Sequence, residues 1–316
     1  MNLKNSLTLL SGLYIAILVW WFSLFFANSL DPIQIHMFTA FWTLSTLYLS
    51  SRVAVKLLNL RVPRQHENLA SGLVLLTLGI ILWCSGTVVW VIYNVFLDVQ
   101  IPFPSLADSF YFSASPVISI GVFSLFLLKG NRGGIKKALL MKLVVALLFA
   151  ASSVFFLIFF GMVAFQLKIV LGVLYVLFDV FSLGFILSSF LLDMFISKSL
   201  DFDNYQKPIL LIFLGIFFEL VGDLGFLITT TSGTYQDAGL VDLSFISFIV
   251  FLSLGVLYFV RELFPYSDRD SNIVSSNYLI QLPYLKQISL NMIAFPIFVV
   301  ISNLLLFYLG SLLLSS

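Results

Sequence analysis

Charge is scarce in this chain. Only 10% of its 316 residues are Asp, Glu, Lys or Arg, while 60% are hydrophobic. A soluble domain carries about 25% charged residues, so this sequence cannot cover a water-facing surface. A net charge of +1 leaves no basic field for nucleic acid. The single cysteine, Cys84, excludes an internal disulfide and a thiolate metal cluster. The two histidines are His36 and His66, and the second sits in a charged loop beside Arg64 and Glu67, which excludes a bis-histidine haem inside a bundle. No lysine falls at mid-membrane depth, which excludes a retinal Schiff base. No resident cofactor is expected, and the sequence leaves a metal ligand open.

Long apolar runs are what the chain has instead. A membrane-spanning helix needs about 20 apolar residues. Nine stretches qualify: roughly 7–27, 33–58, 69–97, 108–128, 138–161, 169–197, 207–230, 240–264 and 288–314. The first has a signal-peptide-like Ala27-Asn28-Ser29 after it, but its apolar run is too long for a typical signal sequence. With the N-terminus inside, all of the 16 lysines and arginines except Lys168 fall on the cytoplasmic side. The expected architecture is therefore an all-α, polytopic protein of the cell membrane with nine transmembrane helices, its partner the lipid bilayer, its N-terminus cytoplasmic and its C-terminus extracytoplasmic.

An internal repeat organises these spans. A shift of 134 residues carries Leu106, Asp108, Ser113, Ser119 and Gly121 onto Leu240, Asp242, Ser247, Ser253 and Gly255, with Tyr111 on Phe245. In the third and seventh spans the shift is 136, which carries Gly79 onto Gly215 and Gly86 onto Gly222. The repeating unit has four helices, so both copies point the same way, related by a pseudo-twofold axis along the membrane normal. The expected division is 1–130 and 131–264 for a parallel 4+4 repeat, 265–287 for a cytoplasmic connector, and 288–316 for a C-terminal helix.

Three acids fall inside predicted spans: Asp179 in the sixth, Glu219 and Asp223 in the seventh. Ionisable groups in a bilayer are expensive and mark function by default. At 1.5 Å per residue, Asp179 and Glu219 lie about 15 Å below the outer surface and Asp223 about 10 Å. Glu219 and Asp223 are four residues apart and share a helix face. No lysine or arginine reaches that depth, so burial and mutual repulsion disfavour three separate negative charges. The repeat places Glu219, Asp223 and Phe226 on Trp83, Thr87 and Trp90, which also share one face. The third and seventh spans are thus expected to face each other around an outward-facing ligand cavity between the repeats, lined by Asp179, Glu219 and Asp223 on one wall and by Trp83, Thr87 and Trp90 on the other. That combination suits a cation or a cationic organic ligand. A structural reading stays open beside it: protonated carboxyls bonded to hydroxyls and carbonyls, with tryptophans anchored at the interface. Asp108 and Asp242 open the fourth and eighth spans, where a carboxylate satisfies free N–H groups and the helix dipole. Helix capping or another structural role is expected for both, and a structural role for Tyr111.

Two stretches carry a resemblance. One is Pro-Phe-Pro-Ser-x-Ala-Asp-x-x-Tyr, Pro102 to Tyr111; the other is Gly-Asp-x-x-Phe…Gly-Thr-Tyr…Asp, Gly222 to Asp242. Together they resemble the multi-helix membrane sensory region that precedes diguanylate cyclase domains in actinobacteria and histidine kinases in methanogenic archaea. The resemblance covers the third to eighth spans, and Asp179 matches an acidic position in it. It implies a sensor of unstated ligand. Those proteins continue into a cytoplasmic output domain, whereas here a short polar segment and a ninth span follow Arg261, so the signal would pass to a separate cytoplasmic or membrane partner.

Nine helices with aspartates in the sixth and seventh also resemble presenilin-type intramembrane aspartyl proteases. Here Phe178-Asp179 and Leu220-Val221-Gly222-Asp223 stand where that family has Tyr-Asp and Gly-x-Gly-Asp, and the Pro-Ala-Leu motif of the last helix is missing. These departures lead to the expectation that Asp179 and Asp223 are not arranged as a catalytic pair. A transporter or channel for a cation or small solute is the remaining alternative, since repeats and mid-membrane carboxylates are common there.

Overall fold

The computed structural model describes residues 3–26, 32–58, 67–93, 97, 105–126, 167–196, 202–235 and 239–269. Among them the architecture is all-helical: α1 (Leu3–Phe25), α2 (Pro32–Leu58), α3 (Glu67–Val91), α4 (Leu106–Phe126), α5 (Leu167–Ile196), α6 (Phe202–Ser232) and α7 (Leu240–Arg269). Five of these helices contain stretches long and apolar enough to cross a membrane: Leu7–Phe25, Leu69–Val91, Leu106–Leu125, Lys207–Ser232 and Leu240–Glu262. Apolar side chains such as Val19, Phe22, Met37, Phe41, Leu210 and Phe217 are exposed where a soluble protein would put charge, which fits a membrane-embedded bundle. The fifth and ninth expected spans, 138–161 and 288–314, lie outside the described residues.

Local sequence explains the helix ends. Pro32 starts α2, where its missing N–H costs nothing. Ser105 stands before α4, and its backbone N–H and Oγ both donate to the Asp108 carboxylate, at 2.5 and 2.9 Å, which closes the N-terminus. α6 stops at Gly233, whose φ of 69° suits glycine, and Thr234 N–H bonds Thr229 O at 2.8 Å to close the end. α3 ends at Val91, Ile92 and Tyr93 follow in a wider helical turn, and Leu97 N–H reaches Ile92 O. α7 runs to Arg269, past the expected end of its span.

The most extensive helix contacts are α3 with α4 and α6 with α7. Glycines permit them. A Cβ on Gly79 would meet Ile118, and one on Gly86 would meet the Tyr111 ring. In the other pair, a Cβ on Gly215 would meet Leu252 and Phe248 O, and one on Gly222 the Phe245 ring. Small residues at such positions let helix backbones approach in a membrane. Outside these pairs, α2 packs on α3, α4 on α5, and α5 on α6. α7 is central: it touches α1, α2, α3 and α6.

Candidate functional site

α5 and α6 are antiparallel neighbours, with Val176 and Val180 packed against Leu220 and Leu224, and Gly172 under Leu227. That register brings Asp179 level with Glu219 and Asp223. The Asp179 carboxyl lies within hydrogen-bonding reach of both other carboxyls. Asp179 and Glu219 are each 2% exposed, and Asp223 is half-buried. Asp179 Oδ2 meets no hydrogen-bond donor. Two carboxyls in hydrogen-bonding contact must share a proton, or their like charges must be balanced by a guest. The membrane stretches of α5, α6 and α7 supply no cation: there is no lysine or arginine between Lys168 and Lys198, nor between Lys207 and Arg261. Among the described residues, no group of three or more His, Cys, Asp or Glu side chains is placed to hold a metal ion.

This geometry bears on the expected separation of the two aspartates. Asp179 and Asp223 do approach each other, because the valine–leucine packing of α5 on α6 sets the register regardless of the motif departures. The aromatic wall differs as well. Trp83 lies on the same ridge as Gly79 and Gly86, so its face is drawn to α4 and α7 and not to α6. Its indole is 6% exposed, 5.8 Å from Trp42, 5.2 Å from Tyr111, 5.5 Å from Phe245 and 5.7 Å from Phe248. Phe245 also covers Gly222, so it stands between Trp83 and α6. The extensive contacts of α3 are with α2, α4 and α7, and those of α6 with α5 and α7. Thr87 is buried and accepts a hydrogen bond from Tyr111 Oη at 3.1 Å. Trp90 is half-buried at the end of the same helix.

Most described residues of the two sequence motifs are tied down structurally. Ser105 and Asp108 close α4, and Tyr111 bonds Thr87. Phe226 packs on Tyr235 at 5.4 Å, and Tyr235 Oη donates to Asp242 at 2.9 Å, which fastens the start of α7. Asp223 differs: it faces Asp179. Tyr175 was not singled out in the sequence. It sits one turn before Asp179 on the same face, is buried, and donates to Asp108 O at 3.1 Å, which links α5 to α4 beside the acids. Its spacing of four from Asp179 was the available signal. Ser119 and Ser182 bond each other at 2.8 Å across the same two helices.

With this geometry in place, comparison with known proteins gives no match. No family model, curated protein or solved structure corresponds to the chain.

Proposed function

We propose that the protein is an integral-membrane, receptor-like sensor that binds a small cation at Asp179, Glu219 and Asp223 and signals through a separate partner. One observation carries this reading: Asp179 is buried between two further carboxyls with Oδ2 lacking a donor and no basic residue at that depth. A purely structural carboxyl would be expected to find donors, because an unsatisfied buried acceptor costs about 1–3 kcal/mol. The resemblance to sensory regions ahead of cyclases and kinases supports the role. Binding that favours one of two conformations would move α6 and α7, and with them the cytoplasmic end of α7 near Arg261.

The reading includes nine spans, the N-terminus in the cytoplasm, and the 4+4 repeat. The glycine contacts support the repeat residue by residue. Shifts of 136 for α3 and 134 for α4 carry Gly79 against Ile118 and Ala114 O onto Gly215 against Leu252 and Phe248 O. They also carry Gly86 against Tyr111 onto Gly222 against Phe245, and Gly121 against Leu76 onto Gly255 against Ile212. The orientation is checked by cysteine labelling of intact cells: position 236 should react with an impermeant reagent, and labelling of 134 instead would reverse the topology.

A thermal-shift screen of metal ions and organic amines tests the site on wild type and Glu219→Gln. At least one cation should stabilise the wild type by mass action and lose that effect in the variant. Absence of any such cation removes the reading.

The approach of Asp179 to Asp223 favours a second reading, an intramembrane aspartyl protease in which two acids sharing a proton activate water. Cleavage of a transmembrane substrate, abolished by Asp179→Asn, would establish it in place of the sensor.

A further inference from the structure

This inference rests on the cation-site reading and concerns the class of cation. The pairing of the two halves extends to α2 and α5. Thr46 Oγ1 donates to Trp42 O at 2.7 Å, and Ser182 Oγ donates to Phe178 O at 2.9 Å, again a shift of 136. That shift carries Thr43 onto Asp179, Trp83 onto Glu219 and Thr87 onto Asp223. The first half therefore holds a neutral, filled version of the acidic site. Its centre is the Trp83 indole, packed against Trp42 and Tyr111, while the Tyr111 hydroxyl satisfies Thr87. Thr43 Oγ1 has no partner there, but a lone hydroxyl is far cheaper to bury than a carboxylate.

In the second half the indole and the phenol hydroxyl have no counterpart. Glu219 is much smaller than an indole. Phe245 replaces Tyr111, so no phenol reaches Asp223 from that position, and Asp179 Oδ2 meets no donor. The aromatic positions persist in the repeat as Phe178, whose ring packs on Phe112, and Phe245, whose ring packs on Gly222 and Trp83. α4 and α6 are not packed to the extent that their counterparts α7 and α3 are. The acids are also not placed as a metal cage.

We propose that the site binds a planar organic cation of the amidinium or guanidinium class. Its flat body would take the place that Trp83 fills in the first half, beside Phe245 where that ring meets α6 at Gly222, and its N–H groups would point to Asp179, Glu219 and Asp223. A planar fork of donors matches carboxylates bidentately and stacks on aromatic faces. A spherical ion offers neither property.

The test uses the full chain in lipid nanodiscs. Thermal unfolding is followed with benzamidine and agmatine, and with tetramethylammonium, Ca2+ and Mn2+ as compact cations. Benzamidine or agmatine should raise the unfolding temperature of the wild type. Glu219→Trp, which installs the first-half residue, should elute as wild type and lose the shift entirely. Should Glu219→Trp fail to fold, Glu219→Gln keeps the shape and should need a several-fold higher concentration for the same shift. An amidinium shift unchanged in the folded variants overturns the proposal. A shift by compact cations alone, lost in Glu219→Gln, overturns the planar class and leaves the cation site standing. No shift by any cation overturns both.

Discussion

Replacing Asp179 by asparagine should make the protein more stable while removing its response to cations. In the wild type, Asp179 has at most a single proton to offer two neighbouring carboxyls, and Oδ2 has no partner. An amide of the same shape supplies two N–H donors directed at Glu219 and Asp223. Hydrogen bonds to charged acceptors contribute roughly 1.5–3 kcal/mol each, and the proton sharing that they replace offsets part of this. A net gain of about 1–3 kcal/mol is expected. Asp179→Leu should go the other way, because it leaves Glu219 and Asp223 buried without that partner, at about 1–3 kcal/mol per group. Thermal unfolding of the three proteins in nanodiscs, without ligand, gives the ordering Asn above wild type above Leu. The reasoning is refuted if Asp179→Asn unfolds at or below the wild-type temperature, or if Leu matches Asn. A gain in stability with loss of binding is the trade-off expected where a strained polar cluster serves function.

Gly215→Ala should destabilise by about 1–3 kcal/mol through overpacking, because the new Cβ would lie 2.9 Å from Leu252 N and 3.1 Å from Phe248 O, both backbone atoms. Gly12→Ala, with nothing within 4 Å, should be neutral or stabilising in the same unfolding assay. Asp108→Ala should cost about 1 kcal/mol by loss of the cap on α4, with cation response retained. Protons compete with a cation for the three carboxyls, so the stabilisation by any bound cation should weaken as pH falls and strengthen as it rises. A thermal-shift series over pH reads this, and a pH-independent shift would place the cation elsewhere.

Helix positions were legible because apolar runs of membrane length leave few alternatives; Pro32–Leu58 and Leu240–Arg269 begin within a residue of their sequence assignments. The acids were legible from their cost at depth, and Glu219 and Asp223 from their spacing of four. What stands opposite them was not. Helix rotation in a bundle is set by packing details: the Gly79–Gly86 ridge turns Trp83 toward α4 and α7, and sequence spacing alone does not say which neighbour claims a face. That all three acids share one site is legible from their depth, but the direct reach of Asp179 to Asp223 is not. It follows from Val176 and Val180 meeting Leu220 and Leu224, ordinary residues whose pairing no motif announces. Tyr175 was overlooked for a similar reason, since a tyrosine in an apolar run gives no hint that its hydroxyl crosses to Asp108 O.

The most direct test of the central claim is infrared difference spectroscopy of the protein in nanodiscs on addition of benzamidine, agmatine, Ca2+ or Mn2+. The account predicts that at least one of these removes a protonated-carboxyl stretch and adds a carboxylate stretch in the wild type, with no such change in Glu219→Gln. Spectra unchanged by every cation, or changed equally in Glu219→Gln, would contradict it.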